Sequence, residues 1–113
     1  MNTADAKKFF TNLYTEIWQK GLVDKMPSYY HSDVEMTIGT KTLNYAQVRE
    51  LIIQQQKYGK QMRYQIHDLV ADTNCAAIHL DAYDYLQKNL KVIAFFYFQD
   101  GKIFRVNAFS NQL

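Results

Sequence analysis

The chain has 113 residues, enough for one domain around one core, and residues 1–113 are expected to form a single domain. A net charge of +2, with Lys and Arg scattered along the chain, argues against a nucleic-acid partner. One cysteine, Cys75, excludes an internal disulfide and points to a reducing compartment.

Aromatic content is 15%, which favours a large pocket or a subunit interface. The polar start, from Met1 to Lys8, lacks the apolar core of a signal peptide. No apolar run approaches the ~20 residues of a membrane span, so a soluble cytoplasmic protein is the expectation.

Thr3 is placed to cap a first helix, with Asp5 suited to its dipole. Phe10, Leu13, Tyr14, Ile17 and Trp18 follow at the spacing of one helix face, and Gly21 is a C-terminal stop. Asp24 is the cap expected for a short second helix, with Pro27 in its first turn. A strand from Val34 to Ile38 follows, then a turn at Gly39-Thr40 and a short return strand from Lys41 to Leu43.

Asn44 and Gln47 have the spacing of a capping box at the start of a third helix. Val48, Leu51 and Ile52 give that helix an apolar side. Gln54 to Lys57 reads as its solvated end, and Gly59 as its stop.

From Lys60 the period changes to two. Met62, Tyr64, Ile66 and Asp68 are expected on one strand face, and Arg63, Gln65, His67 and Leu69 on the other. A turn at Asp72-Thr73-Asn74 leads to a strand that alternates Ala76, Ile78, Leu80, Ala82 and Asp84 against Ala77, His79, Asp81 and Tyr83. After a turn at 87–89, two strongly apolar strands flank Asp100-Gly101, a type I′ hairpin signal.

Helices followed by a long meander read as α+β, with helices on one face of the sheet. The tight turn puts Ala94, Phe96 and Phe98 on one face with Ile103, Arg105 and Asn107. A β-bulge after the turn would instead flip the later residues of the second strand to the other face. The tight turn is the preferred reading.

The order of elements resembles the nuclear transport factor 2-like superfamily, in its SnoaL-like and ketosteroid isomerase-like branch. The residues that carry the resemblance are Tyr29-Tyr30-His31-Ser32-Asp33-Val34 and Phe98-Gln99-Asp100-Gly101-Lys102-Ile103. The middle strands Ile66 to Val70 and Cys75 to Leu80 fit it as well. The resemblance implies a cone, in which a curved antiparallel sheet wraps three N-terminal helices and leaves an apolar pocket. It also implies a homodimer through the outer sheet face.

Comparison with the isomerases of this superfamily implies Val106, Ala108 and Ser110 on the pocket side, which the β-bulge would allow. Those isomerases use a first-helix tyrosine and two acids. Laid on this chain, the tyrosine falls on Tyr14, and the acids fall on Ile38 and Ala94, so the carboxyl pair is missing. The remaining candidate bases are Asp68 and Asp84, each interrupting an apolar strand face. Tyr14, Asp68 and Asp84 are therefore the catalytic candidates, and Trp18, Tyr64 and Asn107 the ligand-binding ones.

His67, His79 and Asp81 are ligand types for a divalent ion, but their spacing is loose and they fall on the expected dimer face. A polar cluster at the interface is the better reading, and neither metal nor cofactor is expected. Two functions remain: binding of a small apolar molecule, with or without acid–base chemistry, and a non-catalytic dimeric module with a filled cone.

Overall fold

The computed structural model describes residues 2–57, 62–83 and 89–111. Helix α1 spans Thr3–Leu13 and runs directly into a π-helical segment, Tyr14–Gln19. The wider turn is visible in Lys20 N–H, which donates to Thr15 O at 3.0 Å, five residues back. Asn2, not Thr3, caps α1: its side-chain oxygen accepts from Asp5 N–H at 2.8 Å. Gly21 ends the helix at φ +70°, the left-handed conformation typical of such stops.

A short 3₁₀ helix, Val23–Ser28, contains Pro27. Asp24 lies inside it rather than at its cap. Strand β1, Tyr30–Ile38, begins earlier than its apolar core suggests, and β2 is Lys41–Leu43. Helix α2 spans Tyr45–Lys57. Its capping box is reciprocal: Gln47 N–H donates to Asn44 Oδ1, and Asn44 N–H to Gln47 Oε1, both at 2.9 Å. The stop expected at Gly59 lies outside the described residues.

Strands β3 (Arg63–Ala71), β4 (Cys75–Tyr83), β5 (Asn89–Gln99) and β6 (Lys102–Ser110) complete a six-stranded sheet in the order β2-β1-β6-β5-β4-β3. The sheet is curved and unclosed, and packs with the helices in the α+β cone. It is mixed rather than wholly antiparallel, because β1 and β6 run parallel. This pair lets a strand from the start of the chain join the final hairpin.

The core lies between the helices and the inner sheet face. Phe10, Leu13, Ile17, Ile52, Ile78 and Ile103 are fully or almost fully buried. Each such side chain contributes about 1.5–3 kcal/mol over an exposed position. Phe10 meets Phe96 and Phe98 at ring-centroid distances of 4.7 and 6.0 Å, clamping α1 onto β5.

Besides a register shift between Tyr30 and Glu35 in the β1–β6 pair, two bulges decide which residues of β3 and β6 face that core. In the β3–β4 pair, Ile66 faces Leu80, but Asp68 faces His79, so His67 is the extra residue. In the β5–β6 pair, Phe98 faces Ile103, but Tyr97 faces Arg105, so Phe104 is the extra residue. The Asp100-Gly101 turn is nonetheless tight, with φ of +55° and +75°. The tight turn and the bulge therefore coexist.

Candidate functional site

The cone encloses a cavity of about 420 Å³. Its wall is mostly aliphatic and aromatic, contributed by Met36, Leu80, Val92, Ala94, Phe96 and Val106 among others. Trp18 and Phe96 belong to this wall. Phe98 packs instead against Phe9 and Phe10. The three aromatics thus leave the cone open rather than filled.

The polar groups of the wall are few. The π-helical segment brings Tyr14 and Trp18 to the cavity, β1 brings Tyr30, and β3 brings Tyr64. The Tyr14 and Tyr64 rings lie 4.9 Å apart. Trp18 Nε1–H donates to Tyr30 Oη at 2.9 Å, so the phenolic proton of Tyr30 is left to donate elsewhere.

Burial pushes all three phenols well above the ordinary tyrosine range, Tyr14 further raised by Tyr30 and Tyr64, and Tyr64 by Tyr30. The Trp18 hydrogen bond offsets part of the rise at Tyr30. Neutral phenols in an apolar wall are hydrogen-bond donors, not bases.

Tyr14, Trp18 and Tyr64 therefore converge on one cavity. Asp68 does not: the bulge at His67 turns it to the outer face, where its side chain is 79% exposed and Oδ2 lies 3.0 Å from His79 Nδ1. Asn107 is likewise outside, opposite Phe95, because the bulge at Phe104 reverses the strand's faces. The same bulge brings Val106, Ala108 and Ser110 to the cavity. Asp84 lies outside the described residues. Ile38 and Ala94 both line the cavity, so the two positions matched to the isomerase acids are apolar wall.

Among the described residues, no carboxylate or imidazole lines the cavity. The site as described can donate hydrogen bonds to a ligand oxygen but holds no group to take a proton at neutral pH.

Tyr30 and Gln55 are cavity residues that the sequence reading passed over, and Ser110 was reached only through the β-bulge alternative. Gln55 was assigned to a solvated helix end, although it follows Leu51 and Ile52 at helical spacing, the signal that could have found it.

The outer face holds a second polar group. Asp81 is 6% exposed, and its Oδ2 accepts from His67 Nε2 at 2.7 Å and from Tyr83 Oη at 3.4 Å. Lys91 Nζ stands 3.7 Å from Oδ1. The His67 hydrogen bond, then the Lys91 charge, holds the Asp81 carboxyl below the usual carboxylate range. The His67 and His79 rings are 5.3 Å apart. Each imidazole is thus engaged by an aspartate, and among the described residues no group of three is placed to hold a metal ion.

Comparison with known proteins accords with this geometry. The model of the SnoaL-like domain family matches residues 10–106. No curated protein matches the chain. Among solved structures, a candidate ketosteroid isomerase from Kribbella flavida superposes with a TM-score of 0.73 at 17% identity, covering 88% of this chain and 73% of that one.

IdmH, a candidate polyketide cyclase from Streptomyces antibioticus, gives a TM-score of 0.75 at 12% identity, with coverage of 94% and 91% respectively. An epoxide hydrolase from M. tuberculosis, similar to LEH, gives 0.75 at 16% identity, with coverage of 90% and 80%. Three different chemistries at such identities establish a shared fold and no shared reaction.

Proposed function

We propose that this chain, which belongs to the SnoaL-like domain family of the nuclear transport factor 2-like superfamily, binds a small, largely apolar molecule in its cone. The observation that carries this reading is the cavity of about 420 Å³, apolar except for a few phenols, an amide and a hydroxyl. That balance suits a small-molecule site, where apolar contact supplies affinity and a few polar groups fix orientation. Tyr14 donates to an oxygen of the ligand, Tyr64 shares that task, and the Trp18 ring packs against the apolar body. Acid–base turnover is not part of the proposal, since the described wall supplies no base.

Trp18 is the only tryptophan in the chain and lines the cavity, so its fluorescence reports occupancy. Titration with tetralone, a compact bicyclic ketone, is expected to quench it saturably. Tyr14→Phe should weaken that binding about fivefold, the worth of one hydrogen bond to a carbonyl. A linear, unsaturable response would overturn the reading.

We also propose that two copies pair through the outer sheet face. Val70, Ile93, Phe95, Tyr97 and Phe109 are exposed there by 38–68%. Ile93 faces Phe109 across the strands, and the Phe95 and Phe109 rings lie 6.3 Å apart, so these three side chains form one apolar group. Contiguous exposed apolar area on a sheet marks an interaction surface. Light scattering should give a dimer mass for the native chain and a monomer mass for Phe95→Asp. A monomeric native chain would end this proposal and leave the cavity reading untouched. The single free cysteine, Cys75, is compatible with a cytoplasmic setting.

A further inference from the structure

Gln55 carries a polar atom that the fold leaves unanswered. It lies near the end of α2 and lines the cavity together with Leu51. Among the described residues its Nε2 reaches only Met62 Sδ, at 3.8 Å, and a thioether is a weak acceptor. Its Oε1 is buried and has no hydrogen-bond partner among the described residues. An orphaned carbonyl oxygen in an apolar wall is costly, and leucine would occupy this helix position without that cost.

The amide is held loosely at its nitrogen end, and its terminal torsion is soft. A turn about that torsion would carry Oε1 out of its buried position toward the cavity that the side chain lines. The other polar atoms of the described wall belong to phenols, one indole N–H and one serine hydroxyl, and none carries a charge at neutral pH. A charged ligand would enter with no counter-charge among those residues.

We propose that Gln55 Oε1 accepts a hydrogen bond from a hydroxyl or N–H of the bound molecule. The ligand is then a neutral, mostly apolar compound with a donor group as well as the oxygen held by the tyrosines. This rests on the cavity reading above and narrows it to hydroxy- or amino-substituted carbonyl compounds.

The test uses three probes of one skeleton on the intact chain: tetralone, a phenolic hydroxytetralone, and its methyl ether. Trp18 fluorescence is followed at neutral pH in the native chain and in Gln55→Leu. The native chain should bind the hydroxytetralone about fivefold more tightly than the ether, and Gln55→Leu should bring those two affinities together, with tetralone measuring what the substitution does to the cavity as a whole.

Equal affinities for the two in the native chain, or a margin that survives Gln55→Leu, would overturn the proposal. Unsaturable responses to all three probes would instead remove the cavity reading on which it stands. If Gln55→Leu does not fold, the native chain still decides. The side-chain NH₂ resonances of Gln55 should shift with the hydroxytetralone and not with the ether, and equal shifts with both would overturn the assignment.

Discussion

Asp68 faces His79 across the β3–β4 ladder, one residue out of step with the Ile66–Leu80 pair before it. His67 is the residue that makes the step. Because strand side chains alternate, a single extra residue sends everything beyond it to the opposite face. The acid thus leaves the cavity and joins an exposed pair with His79 Nδ1 at 3.0 Å. Asp68→Asn should therefore leave tetralone binding within about twofold of native, a change no larger than an exposed residue far from the ligand causes. The same Trp18 titration measures it, and a tenfold loss would place Asp68 at the cavity after all.

Asp81 is expected to make stability depend on pH at the acid end. Its carboxyl is held below the usual range by the His67 hydrogen bond and then by Lys91. A depressed folded-state value means stability that is present above the unfolded value, near 4 for aspartate, and lost as pH falls through the folded one. Asp81→Asn should lower the urea midpoint at pH 7 and show a shallower loss of stability on acidification. Equal acid sensitivity in both proteins would show that Asp81 is not the group responsible.

The capping box of α2 should behave as a local unit. Asn44→Ala removes the acceptor for Gln47 N–H, leaving a helix-end donor to water, and should cost about 1 kcal/mol. Urea unfolding at neutral pH measures this. Thr3→Ala should cost less than half as much, because Asn2 caps α1.

Gly21 and Gly101 separate strain from crowding. Both have positive φ, at +70° and +75°. A Cβ at Gly101 meets nothing within 4 Å, so Gly101→Ala should cost only the left-handed conformation, about 1 kcal/mol. A Cβ at Gly21 would lie 2.3 Å from Gln56 Cγ, so Gly21→Ala adds a displaced side chain to the same strain. Thermal unfolding should rank Gly21→Ala as the more damaging, and the reverse order would mean Gln56 moves aside freely.

Phe10→Ala should be the most severe of these changes. The ring is fully buried and contacts Phe9, Phe96 and Phe98. Loss of a buried phenylalanine costs about 3–5 kcal/mol, including the cavity left behind. Denaturant unfolding should show this as a lower midpoint at an unchanged slope.

Local chemistry determined much of this protein in advance. The Asn44–Gln47 cap, the Asp100-Gly101 turn and the stop at Gly21 each depend on residues within a few positions of one another. Their structures follow from hydrogen-bond reach and the φ that each residue tolerates. The stripe of Phe10, Leu13, Tyr14, Ile17 and Trp18 marked one helix face, and the order of elements pointed to the cone.

What only the tertiary structure decided is which face each strand residue presents. The extra residues at His67 and Phe104 carry no signature of their own, since either strand could have paired without them. The bulges arise from pairing with β4 and β5 on a curved sheet, a condition set by partners far along the chain. They send Asp68 and Asn107 outward and bring Val106, Ala108 and Ser110 inward. The same dependence on distant packing turned Gln55 from a solvated helix residue into a wall of the cavity.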